Sequence, residues 1–241
     1  LQERLRQSGA LDERHKPGRI VPEMNLDEIR SGLNSNLPAD AVWNAAMGTE
    51  HEESLLLELV AGEKDGPRFW SAVALAWRKN PAAVPVLLQA VEERMTLRQD
   101  FTPWSRNMRP LWHSCIIMLG RIGDERAVDT LIGLLESEND FDVLIASVRA
   151  LGRIKDPRAV DAITKVLDRD DVMCTRYFQQ TDQRALFPAV EDGRWQLDLA
   201  VVDVLQSFGH RHDDVLSTYE SDPRFYVKRY VKMLRSNDEK R

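Results

Sequence analysis

A ten-residue phrase that recurs at a fixed distance constrains this chain more than any single motif does. It reads LGRIGDERAV at residues 119–128 and returns as LGRIKDPRAV at residues 151–160, which places Leu151 32 residues after Leu119. A weaker copy, LAWRKNPAAV, occupies residues 75–84. Self-similarity at such a period is typical of stacked repeat architectures. The sequence therefore predicts a repeat protein whose units bury their apolar faces against their neighbours.

The residues around the phrase predict pairs of helices. Asn80-Pro81 and Asp156-Pro157 each combine an N-cap residue with a proline at the first helical position. Apolar residues then recur at the spacing of one helical face. We expect an all-α fold, a right-handed α–α superhelix (a solenoid) of about five helical pairs.

The repeat step of 32 residues also shows where the array is interrupted. Leu119 lies 44 residues after Leu75, and Leu205 lies 54 residues after Leu151, so the two intervals exceed the step by 12 and 22 residues. Because insertions in repeat proteins map to loops, we predict two inserted loops, at about 94–111 and 169–194.

The domain organisation follows from this pattern. We expect the solenoid to cover residues 37–241, preceded by an N-terminal lead-in or linker with short helices at residues 1–36. Pro17-Gly18 interrupts this lead-in, and a short helix follows from Asn25 to Leu33.

Both insertions are rich in arginine and aromatic residues, the types enriched at binding hot spots. We therefore predict that they form a recognition surface. The alternative is that their aromatic residues fold back and cover the edge of the solenoid. The predicted binding residues are Arg98, Phe101, Trp104, Arg106 and Arg109 in the first insertion and Arg176, Tyr177, Phe178 and Arg184 in the second.

The second copy of the phrase resembles a HEAT-type α-solenoid repeat. It reads ALGRI at 150–154 followed by DPRAV at 156–160, and is most similar to the short bacterial HEAT-like repeat also seen in phycobilin lyases. The resemblance covers roughly residues 37–235 and is strong over 112–168. It implies a HEAT-like solenoid and favours protein binding, without implying an activity.

Some proteins with HEAT-like repeats are enzymes, but their functional motifs do not carry over to this chain. Deoxyhypusine hydroxylases hold two irons with several His-Glu pairs, whereas the pair His51-Glu52 here lies within a capping box that begins at Thr49. DNA glycosylases built on HEAT-like helices bind through a basic groove, whereas this chain has a net charge of −6. We find no motif specific to phycobilin lyases.

A second resemblance lies at the start of the chain. Residues 1–6, LQERLR, with Gly9 and Leu11 are similar to a stretch near the end of some bacterial FAD-dependent oxidoreductases. This resemblance implies a solenoid appended to an upstream enzyme domain, in a chain that looks like a fragment. Because the chain contains no dinucleotide fingerprint, we expect it to bind no flavin through such a motif.

Composition narrows the classes of function. A hydrophobic content of 43% with 30% charged residues is ordinary for a folded domain. The pI of about 5.5 lacks the basic footprint of a nucleic-acid binder. Cys115 and Cys174 form no disulfide framework, which is compatible with a reduced compartment, and we favour a cytoplasmic location. No apolar run approaches the ~18 residues that a membrane span requires, and nothing near Leu1 resembles a signal peptide.

Four further groups of residues have a structural and a functional interpretation, and we favour the structural one for each. Residues 210–214, HRHDD, contain metal-ligand side chains, but Asp213 is suited to cap a helix. Residues 136–142 form an acidic turn that lacks the pattern of a calcium loop. Cys115 lies two residues from His113, a spacing that does not bring side chains together on a helix, so we assign it to the core. Arg121 and Arg153 share one repeat position, where we expect pairing with aspartates of neighbouring turns.

These observations favour a protein-interaction or scaffolding module with no catalytic activity of its own. We expect no cofactor, no metal and no membrane contact. The partner is then either a separate protein or an upstream domain of the same polypeptide. The alternatives are an auxiliary C-terminal domain of a larger FAD-dependent oxidoreductase, and a HEAT-type enzyme or nucleic-acid binder.

Overall fold

The computed structural model describes residues 23–35, 38–95, 111–178 and 189–238. These residues fold almost entirely into helices, as the predicted all-α solenoid requires. The chain divides into two compact units, Leu1–Ala127 and Val128–Arg241. No helix within the described ranges is long and apolar enough to cross a membrane.

The first unit contains six described α-helices and two short 3-10 turns. The helices are α1 (Leu26–Leu33), α2 (Ala39–Met47), α3 (Glu50–Val60), α4 (Asp65–Trp77), α5 (Val84–Glu92) and α6 (Leu111–Ile122), and the turns are Pro81–Ala83 and Glu125–Ala127. Helix α1 packs against α2, α3 and α4 and buries Ile29 and Leu33. The capping box of Thr49 and Glu52 is present at the start of α3.

The second unit contains six described helices and a β-hairpin. The helices are α7 (Val128–Ser137), α8 (Phe141–Ile154), α9 (Ala159–Lys165), α10 (Arg194–Ser207), α11 (Asp213–Glu220) and α12 (Phe225–Asp238), with a 3-10 turn at Val166–Asp168. The strands are β1 (Thr175–Phe178) and β2 (Ala189–Asp192), which pair antiparallel. The core at the end of this unit comprises Leu199, Val202, Leu216, Val227, Val231 and Leu234.

The hairpin is the one departure from helices in the described part of the chain. It lies within the predicted second insertion, which we expected to be a loop. Its strands TRYF and AVED contain the β-branched and aromatic residues that favour extended structure. Repeat spacing reveals an excess of residues but not their conformation, so the sequence analysis missed the hairpin.

In each copy of the repeated phrase, a residue just after the first helix has left-handed backbone conformation. The fifth residue of the phrase is Lys79 (φ 58°), Gly123 (φ 81°) or Lys155 (φ 66°), and Gly209 (φ 88°) follows the equivalent helix α10. A residue in this conformation lets its amide satisfy carbonyls of the last helical turn. Two of these four positions thus hold lysine, for which the conformation is unfavourable.

Aspartates begin the turns that follow, as predicted. The Asp124 carboxylate accepts a hydrogen bond from the backbone N–H of Arg126 at 3.0 Å, and Asp156 accepts from that of Arg158 at 2.9 Å. Each arginine side chain also folds back onto its aspartate and lowers the pKa of that carboxyl. The same arrangement recurs at residues 222–224. Asn80 caps the equivalent turn of the first unit by accepting from the Ala82 amide.

Cationic side chains connect neighbouring helices by donating to carbonyls at helix ends. The Arg78 guanidinium donates to the carbonyls of Ala45, Gly48 and Thr49 at 3.0–3.1 Å, around the end of α2. Lys155 Nζ donates to the carbonyl of Ser207, the last residue of α10, at 2.9 Å. The carbonyls of Ala45 and Ser207 lie in the last turn of their helices, where carbonyls lack a partner within the helix and carry the negative end of its dipole.

The predicted pairing of Arg121 with an aspartate is wrong. Its guanidinium donates to the carbonyl of Trp77 at 3.2 Å and lies 4.6 Å from the centroid of the Trp77 ring. Trp77 is the last residue of α4, so Arg121 also connects one helix to the end of another. The partner predicted for Arg153 remains a prediction.

The left-handed lysine at residue 79 predicts a stabilising substitution. We expect Lys79→Gly to raise the free energy of unfolding by about 0.5–1 kcal/mol, because glycine adopts this conformation without steric cost but loses more entropy on folding. Urea denaturation monitored by circular dichroism measures the change.

The matched control is Gly123→Ala, which places a Cβ at the equivalent position where no atom lies within 4 Å. Only backbone strain then acts, and we expect a loss of about 1 kcal/mol. A destabilised Lys79→Gly protein would show that the lysine side chain outweighs the strain.

Candidate interaction surface beside the second insertion

The structure tests none of the predicted binding residues as a site. Arg98, Phe101, Trp104, Arg106, Arg109 and Arg184 lie outside the described residues. The other three, Arg176, Tyr177 and Phe178, form most of strand β1. The bases of both insertions are described, and each base can be built up from its own unit.

The first insertion is closed at its base by contacts between its flanking residues. The Trp112 backbone N–H donates to the Met95 carbonyl at 3.3 Å. The Arg94 guanidinium lies 4.4 Å from the centroid of the Trp112 ring, a cation–π distance. These contacts join the end of α5 to the start of α6, which pack on each other.

The second insertion is closed by a shorter backbone hydrogen bond. The Gly193 N–H donates to the Cys174 carbonyl at 2.7 Å, directly after the last strand pair, Thr175 with Asp192. Gly193 is buried, and a Cβ there would lie 3.0 Å from the Cys174 oxygen and 3.2 Å from Cε2 of Phe141. A side chain at this position would therefore have to displace its neighbours by a few tenths of an ångström.

Arg194 anchors the hairpin base to the preceding helical pair. Its guanidinium donates to the carbonyls of Val166 at 3.2 Å and Leu167 at 2.7 Å, and also to the carbonyl of Arg169. Its Nε donates to the Asp198 carboxylate at 2.7 Å, one helical turn along α10. One side chain thus satisfies the end of the Val166–Asp168 turn and fixes the start of α10.

Asp198 lines a cleft, and both oxygens of its carboxylate accept hydrogen bonds from neighbouring side chains. The Tyr219 hydroxyl donates to its second carboxylate oxygen at 2.6 Å. Burial raises the pKa of Asp198, and the hydrogen bonds from Tyr219 and Arg194 oppose that shift. Burial and the neighbouring carboxylate raise the pKa of Tyr219, so its phenol stays protonated and continues to donate. The cleft, of about 200 Å³, is lined by Leu167, Asp198, Asp214, Val215, Thr218 and Tyr219.

The bonding of Asp198 determines what this cleft can do. Each Asp198 oxygen accepts a hydrogen bond from the protein, one from Arg194 and one from Tyr219, so both ends of the carboxylate are held in place. We therefore interpret Arg194, Asp198 and Tyr219 as a structural network that positions the adjoining surface.

Aromatic side chains form that adjoining surface. The rings of Trp195 and Tyr226 lie 5.5 Å apart and those of Tyr226 and Phe225 lie 5.6 Å apart, measured between centroids. Arg224 joins this group to the hairpin by donating to the Asp192 carbonyl at 3.2 Å, and its guanidinium lies 5.7 Å from the Trp195 ring. The start of α12 is thereby attached to the hairpin base.

Phe225 and Tyr226 are exposed, whereas the next residue, Val227, is buried. Phe225 is 73% exposed and Tyr226 is 40% exposed. The sequence analysis missed both as binding candidates because it considered only the insertions. A signal was present, since residues 225 and 226 fall outside the apolar stripe of Val227, Val231 and Leu234 that packs in the core.

The first unit exposes a second, smaller set of apolar side chains. Trp43 and Met47 lie one turn apart on α2, and both are exposed. The Trp43 ring meets the Trp77 ring edge to face, with centroids 6.5 Å apart. Trp77 is in turn covered by Arg121, so part of this group serves the connection between helices.

The remaining candidates have structural roles where the structure describes them. Asp140 caps α8 by accepting from the amides of Asp142 and Val143. Asp213 is the first residue of α11 rather than its cap, a correction to the sequence analysis, and its carboxylate pairs with Arg235 at 3.3 Å. The described ranges contain no group of three or more side chains suited to bind a metal ion.

Comparisons with known proteins bear on the fold. A family model described as HEAT repeats matches residues 112–177, so the chain contains HEAT repeats, as the repeated phrase predicts. The complex of CpcE and CpcF of phycocyanin lyase from Nostoc has a similar structure, with 21% sequence identity and a TM-score of 0.48. That match covers 78% of this chain and 65% of the other, just under two thirds. A similarity this low says nothing about activity. No curated protein matches the sequence.

The contacts of Arg194 predict that removing its guanidinium group greatly lowers the stability of the protein. We expect Arg194→Met to lower the free energy of unfolding by about 3 kcal/mol, because three carbonyls and a largely buried carboxylate lose their donor. Arg158→Met is the matched control, since that side chain is 55% exposed and we expect a loss of at most about 1 kcal/mol. Equal losses measured by urea denaturation would contradict the anchoring role.

The two cysteines should differ in reactivity. Burial raises the pKa of the Cys115 thiol to about 12, whereas Cys174 is only partly buried at the hairpin base. Because the thiolate is the reactive form, we expect iodoacetamide at pH 8 to modify Cys174 at least about tenfold faster in the folded protein. Mass spectrometry after timed quenching measures both sites, and the difference should vanish in urea. Fast modification of Cys115 in the folded state would contradict its assignment to the core.

Proposed function

We propose that this chain is a protein-interaction module that recognises its partner with the surface at the base of the second insertion. The observation that carries the proposal is the exposure of Phe225 and Tyr226 beside Trp195. HEAT repeats support an interaction or scaffold-type role in general, and this surface supplies a place for it.

The physical support comes from the cost of leaving such a surface in water. Aromatic side chains bury more apolar area than other residues and dominate the energetics of interfaces. Here they lie on helices rather than loops, and Arg194 and Arg224 fix the helix starts through backbone carbonyls. A rigid, exposed aromatic group loses little entropy when a partner covers it.

The proposal also includes the arginine and aromatic residues that the sequence analysis predicted to bind in the two insertions. Arg176, Tyr177, Phe178 and Arg184 belong to the second insertion, whose base Arg224 contacts at the Asp192 carbonyl. We propose that they contribute further contacts, and that the arginine and aromatic residues of the first insertion provide a separate contact region. The aromatic surface carries the proposal without them.

No observation favours catalysis over binding. The Asp198 carboxylate is occupied by two donors, and the raised pKa of Cys115 keeps that thiol protonated. We therefore propose a module that contributes affinity and placement and leaves chemistry to its partner.

The test compares partner capture by the wild-type chain and by a Phe225→Ser/Tyr226→Ser variant. We expect the variant to lose at least about tenfold in affinity for the captured partner, because truncating central aromatic contacts costs about 2 kcal/mol or more. Affinity capture with mass spectrometry identifies the partner, and calorimetry with the purified partner measures the dissociation constant.

The control is Leu57→Ser, which removes an exposed apolar side chain from α3 in the first unit. Both variants must melt at the wild-type temperature to be compared. Undiminished binding by the Phe225→Ser/Tyr226→Ser protein would remove this surface from the proposal.

A further inference from the structure

The exposed face of α12 combines cations with apolar side chains. Positions separated by three, four or seven residues lie on one side of a helix, and Phe225, Arg229 and Lys232 have this spacing. Lys228, Met233 and Tyr226 flank that line, and all six side chains are exposed. The opposite side of α12 carries Val227, Val231 and Leu234 into the core.

This face is apolar as well as charged. Here Phe225 is 73% exposed and Met233 is 44% exposed. Apolar side chains at helical spacing on an outer face are the pattern that binds a second helix.

The cations on this face differ from their neighbours in how they are paired. Arg224 pairs with Asp222, and Arg235 pairs with Asp213 and Glu220. In contrast, Lys228, Arg229 and Lys232 form no salt bridge with any residue that the structure describes. No acidic residue occurs from 223 to 237, although the whole chain has a net charge of −6. The face therefore concentrates exposed positive charge on an acidic protein.

We infer that α12 binds an acidic amphipathic helix of a protein partner. The partner's carboxylates would face Lys228, Arg229 and Lys232, and its apolar side chains would contact Phe225 and Met233. This inference rests on the proposed function, because Phe225 and Tyr226 belong to both surfaces, and it adds the chemical class of the partner.

Two other classes of partner fit the face less well. A nucleic acid would meet three cations on a chain of net charge −6, which is a small electrostatic footprint, and would leave Met233 without a role. A membrane surface requires a helix with a broad apolar face to insert, whereas the apolar stripe of α12 is buried in the core.

The experiment uses the full chain and synthetic helical peptides of ~18 residues, long enough to form several turns. One fluorescein-labelled peptide carries Leu and Glu on one face, and a second has every Glu replaced by Gln. Fluorescence anisotropy measures their affinities in low and high salt. We expect the Glu peptide to bind at least about tenfold more tightly than the Gln peptide, and salt to reduce the difference.

The variant Arg229→Glu/Lys232→Glu locates the binding. It should weaken binding of the Glu peptide at least about tenfold, while the matched reversal Lys64→Glu/Lys79→Glu on the first unit should not. Equal binding of both peptides, no binding of the Glu peptide, or an unchanged affinity in Arg229→Glu/Lys232→Glu would overturn the inference. Competition by duplex DNA or by phosphatidylserine vesicles in place of the Glu peptide would likewise assign the face to another class of partner.

These outcomes separate the inference from the proposed function. If Phe225→Ser/Tyr226→Ser loses the captured partner while Arg229→Glu/Lys232→Glu retains it, the aromatic surface stands and the acidic helix is wrong. If neither variant affects partner capture, the proposed function itself fails.

Discussion

Donation from cationic side chains to the carbonyls of helix ends is the interaction on which the rest of this structure depends. A solenoid of short helices multiplies helix ends, and every end leaves carbonyls without partners in its own helix. Arg78, Arg121, Lys155 and Arg194 each reach such carbonyls on another element of the same unit. Because each contact satisfies one helix end and fixes the distance to another helix, it stabilises both the element and the stack. Apolar burial drives the association, and these contacts set its register.

The candidate surface depends on the same donation from arginine side chains to backbone carbonyls. Arg194 satisfies the carbonyls after α9 and fixes the start of α10, and the next residue is Trp195. Arg224 follows the capping aspartate of the last turn and reaches the Asp192 carbonyl, so Phe225 and Tyr226 come to lie beside the hairpin base. The aromatic rings are thus held in place by two arginines, each of which donates to a backbone carbonyl and to a carboxylate. The structural network therefore positions the exposed surface.

The sequence predicts those features that depend on nearby residues. Asp124 and Asp156 cap their turns because the acceptor and the donor are two residues apart, and the apolar stripes follow from helical spacing. The partners of cations are different, since Trp77 is 44 residues from Arg121 and lies close only after the helices stack. The aspartate predicted for Arg121 was wrong for this reason. The hairpin and the exposure of Phe225 likewise depend on packing that one sequence does not specify. The residues predicted in the insertions remain predictions.

The closed base of the second insertion has a consequence for how such a chain can change. Where the Gly193 amide meets the Cys174 carbonyl, the two ends of the insertion leave the helical stack side by side. The connection between β1 and β2 begins and ends at these two points. Its length and composition can therefore change without displacing α10. In the role that we propose, substitutions in this connection can change binding preference without changing the stability of the helices. In protein engineering, the same junction could accept a different recognition loop, because its two ends would be held in place by the same backbone hydrogen bond.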